Sequence, residues 1–79
     1  MRVHKFLRDV SEYTVTLSDG QKRGLRFIGV GTETLIEVQI VVQRKLLWYP
    51  IGRGDRAGAT DEIVEGWITE LETKFATVA

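Results

Sequence analysis

The chain has 79 residues, no cysteine, 43% hydrophobic residues and equal numbers of acidic and basic residues. The length predicts a single domain over residues 1–79 with a thin core, and the lack of cysteine excludes disulfides and thiolate metal ligands. No apolar run reaches the roughly 20 residues of a membrane span and no signal peptide is apparent, so we expect a cytoplasmic protein without membrane contact.

The first half of the chain is typical of β-structure. Residues 2–12 leave two alternatives open, a strand or a short amphipathic helix. Residues 13–17 alternate between apolar side chains and threonine, which predicts a strand. Ser18-Asp19-Gly20 predicts a turn, and residues 24–30 return as a second strand. The sequence therefore predicts a β-hairpin over residues 12–30.

Two further strands are predicted before the final helix. Residues 35–42 alternate and are rich in β-branched side chains, which disfavour a helix. Gln43-Arg44-Lys45 interrupts the pattern, and residues 46–51 resume it. This turn contains no Gly, Asn or Asp, so its geometry stays open. Pro50 cannot donate to a ladder, which places it at a strand end or on an edge.

The last segment, Thr60 to Val78, predicts an amphipathic helix. Its apolar residues recur at three-and-four spacing along one face: Ile63, Val64, Trp67, Ile68, Leu71 and Phe75. Thr60 is the expected N-cap, and Asp61 and Glu62 suit the positive end of the helix dipole. Gly66 either allows the helix to approach the sheet closely or is a tolerated defect.

These elements predict an α+β fold in which a three- to four-stranded antiparallel sheet carries one C-terminal amphipathic helix on one face. The alternative is a small SH3-like or Sm-like barrel with an added helix. The run from Tyr13 to Gly20, then Gly24-Leu25 and later Arg53-Gly54-Asp55, is similar to motifs of Sm-like RNA-binding barrels. The segment from Ile28 to Thr34 lacks the Asp and Asn with which that family binds a base, so the resemblance identifies no site residue.

No catalytic constellation emerges from the sequence. The segment from Gly52 to Ala57 has G-x-G-x-x-A spacing before a helix, like phosphate-binding loops, but an ordinary connection is the favoured interpretation. His4 is the only histidine and has no nucleophile partner. Asp55, with the acids at the helix start, lacks the spacing of a calcium loop. The chain is therefore predicted not to be an enzyme and to need no cofactor or metal.

The best candidate for function is a partner-binding surface. Trp48 and Tyr49 are adjacent on a strand, so one of them should point away from the helix. An exposed aromatic near basic residues is typical of a binding hot spot. The predicted partner-binding residues are Trp48, Tyr49, Arg44, Lys45, Arg53 and Arg56.

The expected function is a small non-catalytic protein-interaction module, such as a phage- or mobile-element-encoded inhibitor of the anti-CRISPR kind, or a regulatory subunit. A second hypothesis is nucleic-acid binding on a basic sheet face, disfavoured by a net charge of zero; its residues would be Lys22, Arg23, Arg26, Arg44, Lys45, Arg53 and Arg56. An uncovered sheet face or a free edge strand is also suited to a homodimer.

Overall fold

A computed structural model of the chain describes residues 9–77. The elements are β1 (Asp9–Thr16), β2 (Lys22–Val30), β3 (Glu33–Val42), β4 (Lys45–Arg53), a short 3-10 helix (Arg56–Gly58) and α1 (Asp61–Ala76). The strands form one antiparallel sheet in the order β1-β2-β3-β4. The predicted α+β fold is confirmed. The barrel alternative is wrong, because β1 and β4 lie at opposite edges of an open sheet.

The predicted first hairpin is present and is longer than expected. Pairing runs without a break from Asp9 opposite Gly29 to Thr16 opposite Lys22. The turn closes where the Gly20 N–H donates to the Leu17 carbonyl at 2.9 Å, and the φ of +90° at Gly20 is one that glycine adopts at little cost. Residues 9–12 are therefore strand, while the two alternatives for residues 2–8 lie outside the described part of the chain.

The core lies between one face of the sheet and α1. Alternate residues of the first three strands point to this face, as the period-two pattern predicts. The buried cluster consists of Val15, Leu17, Leu25, Phe27, Ile36, Val38, Ile40, Ala59, Val64 and Ile68. Ile63 departs from the predicted apolar stripe, because its side chain is 44% exposed. Gly66 has open space around it, so it does not serve close packing and is a tolerated defect.

Carboxylates of α1 attach the helix to the sheet. Thr60 caps the helix as predicted, accepting from the Ile63 N–H at 3.3 Å. The backbone N–H of Thr16 donates to Asp61 at 3.3 Å. Ser18 donates to Glu65 twice, from its N–H at 3.0 Å and from its hydroxyl at 2.6 Å. These acids therefore bind the first hairpin in addition to complementing the helix dipole.

The sheet splits at one end between β2 and β3. Their pairing stops at Leu25 opposite Val38, whereas β3 and β4 remain paired up to the turn. Side chains replace the missing ladder, since the Gly24 N–H donates to Gln39 Oε1 at 2.7 Å and the Val41 N–H donates to Glu72 Oε2 at 2.8 Å. This satisfies backbone groups that would otherwise be costly to bury.

Within residues 9–77, the sole α-helix is too short and too polar to cross a bilayer.

Candidate functional site

The strand β4 sends its two aromatic residues to opposite faces of the sheet. Tyr49 lies opposite Val38, which is fully buried beneath α1. Its ring packs edge-on against Phe75, with the ring centroids 5.5 Å apart. Trp48 lies opposite Gln39 and points to the other face. Tyr49 is thus part of the helix packing, and of the predicted pair only Trp48 belongs to the uncovered face.

The indole of Trp48 extends over the position of Gly24 on β2. A Cβ atom placed on Gly24 would come within 2.6 Å of Trp48 Cη2 and 2.8 Å of Gln39 Oε1. Such approaches are far inside van der Waals contact. Glycine is therefore required here by the tryptophan that covers it and not by backbone conformation.

Arg26 fixes the far side of the indole. Its guanidinium carbon lies 3.7 Å from the centre of the Trp48 ring, in cation–π geometry. The same group contacts Glu37 at 2.9 Å and Glu12 at 3.8 Å. The three charged residues form a row across neighbouring strands, because Glu12 pairs with Arg26 and Arg26 with Glu37. A tryptophan held by a paired arginine is a rigid surface feature.

We call this surface the Trp48 face and define it by Glu12, Gly24, Arg26, Glu37, Gln39 and Trp48. A shallow depression of about 540 Å³ adjoins the indole, above the split between β2 and β3. Its rim is completed by Tyr13, Thr14, Lys22 and Arg23. No described element covers this face, since α1 packs on the other side.

The turn between β3 and β4 has an unusual backbone. Val42 pairs with Lys45, which leaves Gln43 and Arg44 as a two-residue loop. Both have left-handed φ angles, of 54° and 68°, as in a type I′ turn, where Asn-Gly is preferred. Left-handed backbone costs a non-glycine residue roughly 1–2 kcal/mol. The loop, with Lys45 and Leu46, forms what we call the hairpin tip.

The hairpin tip and the Trp48 face share one end of the sheet. Arg44 and Lys45 are exposed at the tip, and Leu46 is 58% exposed. Leu46 and Trp48 point to the same face because they are two residues apart on β4. The structure therefore places Arg44 and Lys45 at the same end of the sheet as Trp48, although Lys45 alternates with Leu46 along β4 and so points to the helix face.

The structure does not bring Arg53 and Arg56 to this site. Arg53 lies at the opposite end of β4 and pairs with Glu33 at 3.3 Å. Arg56 lies on the helix side, 3.9 Å from Asp61 and 5.0 Å from the ring centre of Tyr13. Both were predicted as partner contacts from their position in the chain, which reveals neither the end of the sheet at which Arg53 lies nor the side on which Arg56 lies.

Ion pairs also neutralise four of the seven cations that were predicted to form a basic face for nucleic acid. Arg23 is only 8% exposed and lies 3.5 Å from Glu72 on the helix side, and Arg26 is paired with Glu37. Of the seven candidate cations, Lys22, Arg44 and Lys45 alone make no ion pair within the described part of the chain. The remaining positive charge is concentrated near the hairpin tip.

The other candidate sites lack the expected geometry. In the loop with phosphate-loop spacing, the Gly58 N–H donates to Asp55 Oδ1 at 3.2 Å, so the loop's own carboxylate occupies the start of a three-residue helix. Between residues 9 and 77, no three His, Asp or Glu side chains cluster as metal ligands. His4 lies outside these residues.

Sequence reasoning missed four members of the site, Glu12, Gly24, Glu37 and Gln39, and named Arg26 only as a candidate nucleic-acid contact. A usable signal existed for Gly24, because a glycine inside a strand pattern often marks a close approach by another group. Arg26 and Gln39 become visible only when the register of three strands is known.

Comparison with known proteins gives no assignment: no family model, no curated protein and no solved structure matches this chain.

Proposed function

We propose that this protein is a non-catalytic protein-binding module whose contact surface is the Trp48 face together with the hairpin tip. One observation carries the proposal: the indole of Trp48, held by Gly24 and Arg26, lies on a sheet face that no element within residues 9–77 covers. Tryptophan and arginine are enriched at binding hot spots, where rigid side chains lose little conformational entropy. A role as an inhibitor or regulatory subunit rests on small size and architecture.

Charge defines the kind of partner that fits. The exposed cations Lys22 and Arg44 lie at the end of the sheet that carries Trp48 and Leu46, and Lys45 lies at the same end but points to the helix face. The complementary surface is a flat apolar patch bordered by carboxylates. Exposed rim charges mainly accelerate association, whereas the central aromatic residue determines how long the complex persists.

The first prediction concerns a partner captured from the native source and then purified. Trp48→Ala should weaken its affinity by about 30-fold or more, the loss expected for a hot spot of roughly 2 kcal/mol. Isothermal titration calorimetry measures this effect, and circular dichroism verifies that the variant is folded. Undiminished affinity in the folded variant contradicts the proposal.

Arg53 and Arg56, which lie away from the Trp48 face, provide a matched control for the two cations of the hairpin tip. The double variant Arg44→Ala/Lys45→Ala should slow association in a salt-dependent manner. The double variant Arg53→Ala/Arg56→Ala removes the same charge away from the Trp48 face and should leave the association rate nearly unchanged. Equal losses from both pairs would indicate a general charge effect and would reject the proposed surface.

A further inference from the structure

The two edges of the sheet differ in how they are protected. On β1, the Thr16 N–H is taken by Asp61, and Arg56 lies beside Tyr13. On β4, the side chains of Leu46 and Leu47 are exposed, at 58% and 44%. A free strand edge that carries exposed apolar side chains is a template for another strand.

The pairing of β3 with β4 shows which backbone groups of β4 face outward. In a two-residue hairpin, the residues flanking the turn form a hydrogen-bonded pair, here Val42 and Lys45. Because hydrogen bonding alternates along an antiparallel strand, Leu47 and Tyr49 also bond inward. Leu46, Trp48 and Pro50 therefore point outward, and proline at an outward position fits the rule for edge strands.

Two N–H donors on this edge, at Leu46 and Trp48, thus have no partner among residues 9–77, and Pro50 ends the series. Two such edges match by two-fold symmetry when Leu47 opposes Leu47 of a second copy. Leu46 of each strand then opposes Trp48 of the other, and these residues exchange N–H···O=C bonds in both directions. A shift in register would place the N–H of Leu46 or of Trp48 opposite Pro50 or opposite the Gln43–Arg44 turn of the second copy.

The side chains agree with this register. Leu46 and Trp48 meet across the strands on the uncovered face, and the two copies of Leu47 meet on the helix face. Lys45 opposes Tyr49 of the second copy, so no like charges oppose each other. The helix leaves room for the contact, because α1 packs mainly over β3.

We propose that two copies of this chain associate through their β4 edges in antiparallel register centred on Leu47, forming one continuous eight-stranded sheet. Both helices lie on the same side of that sheet, and the two Trp48 faces join into one surface. The dimer shares Leu46 and Trp48 with the proposed binding surface, but its test needs only the purified chain, so self-association can fail without the binding function failing.

The first part of the test measures the mass of the protein in solution and asks whether self-association depends on the backbone of β4. Analytical ultracentrifugation of the full chain should give twice the 9.0 kDa chain mass as concentration rises. Leu46→Pro removes an outward N–H that the β3 ladder does not use, and should weaken self-association by at least about tenfold. Leu46→Lys, which leaves the backbone intact, should weaken it similarly.

The second arm tests the register by disulfide formation, since the chain has no cysteine of its own. Opposed residues at a non-hydrogen-bonded site have Cα atoms about 4.5 Å apart, within the roughly 4.4–6.8 Å that a disulfide spans. Leu47→Cys should therefore cross-link rapidly under mild oxidation. Leu46→Cys is the matched control, because the two copies of residue 46 would be diagonal neighbours about 7–8 Å apart.

Three results overturn the inference: a mass of 9.0 kDa at all concentrations up to the millimolar range, a dimer that Leu46→Lys leaves intact, or equal cross-linking at positions 46 and 47. The last two would indicate a dimer formed through another surface. If Leu46→Pro fails to fold, Leu46→Lys and the two cysteine variants still decide the question.

Discussion

At the residue scale, the position of Trp48 depends on the absence of a side chain at Gly24. The indole crosses the place where a Cβ would lie and meets Arg26 beyond it. A cation–π contact at a partly exposed site contributes roughly 0.5–1 kcal/mol. The site therefore combines Gly24 and Arg26 of β2 with Trp48 of β4, although β2 and β4 are not neighbours in the sheet.

Replacing Gly24 with alanine should disturb this arrangement. The new methyl group would lie 2.6 Å from Trp48 Cη2, so the indole must move away from Arg26. We expect a loss of about 1–2 kcal/mol in the free energy of unfolding, as in other overpacked sites. Urea unfolding measures the loss, and fluorescence quenching in a Trp67→Phe background reports the greater exposure of Trp48.

The control for this prediction is the same substitution on the helix. Gly66 has no neighbour within 4 Å, so Gly66→Ala should stabilise the protein by about 0.5–1 kcal/mol through helix propensity. Opposite signs at the two glycines are expected. A stability gain at both positions would show that the indole does not depend on Gly24.

At the element scale, α1 binds the sheet through charge as well as through its apolar stripe. Asp61, Glu65 and Glu72 accept bonds from backbone N–H groups of β1, the first turn and β3. The spacing places the three acids along one flank of the helix. Since Glu72 also neighbours the buried Arg23, its loss leaves a part-buried N–H and a buried cation unsatisfied, whereas the Ser18 groups that bond to Glu65 are exposed.

Glu72→Ala should therefore destabilise the fold by about 2 kcal/mol, less than a fully buried ion pair because Glu72 is 28% exposed. Thermal unfolding measures the effect. Glu70→Ala, on the exposed side of the same helix, should change stability by at most about 0.5 kcal/mol. Similar effects at both positions would mean that α1 is held by its apolar side chains alone.

The sequence predicted the strands and the helix far better than the side-chain contacts that join them. Alternation in residues 13–17 and 35–42 and the stripe of α1 were sufficient for the fold, because each pattern is local. The bond from Ser18 to Glu65 joins residues 47 positions apart, and no local pattern encodes it. The distance of Arg53 and Arg56 from Trp48 could not be predicted for the same reason, since proximity in the chain does not fix position in space.

At the scale of the whole molecule, the sheet has two central strands and two edges, and this order determines local stability. The central strands β2 and β3 are paired on both sides over residues 25–29 and 35–38. Amides there should open only with global unfolding. The edge amides of β1 that point away from β2 have no strand partner within residues 9–77 and should exchange first.

Hydrogen exchange followed by NMR should show this gradient. Leu25, Phe27 and Val38 are expected to exchange slowest. Val41 should also be protected, although it lies beyond the β2–β3 pairing, because its N–H donates to Glu72. In Glu72→Ala its protection should fall selectively, while that of Val38 falls only as far as global stability does. Unchanged protection of Val41 in that variant would contradict the assigned bond.

The left-handed pair Gln43 and Arg44 has a consequence for affinity. A two-residue turn allows few alternative shapes, so Arg44 and Lys45 are presented on a stiff loop before any encounter. A partner that docks there meets a preorganised surface and loses little to the ordering of the loop. Lengthening the turn with glycine would leave the contacting side chains unchanged. The longer loop would be flexible in the free protein, so its conformational entropy would be lost on binding, whereas the native turn loses that entropy during folding.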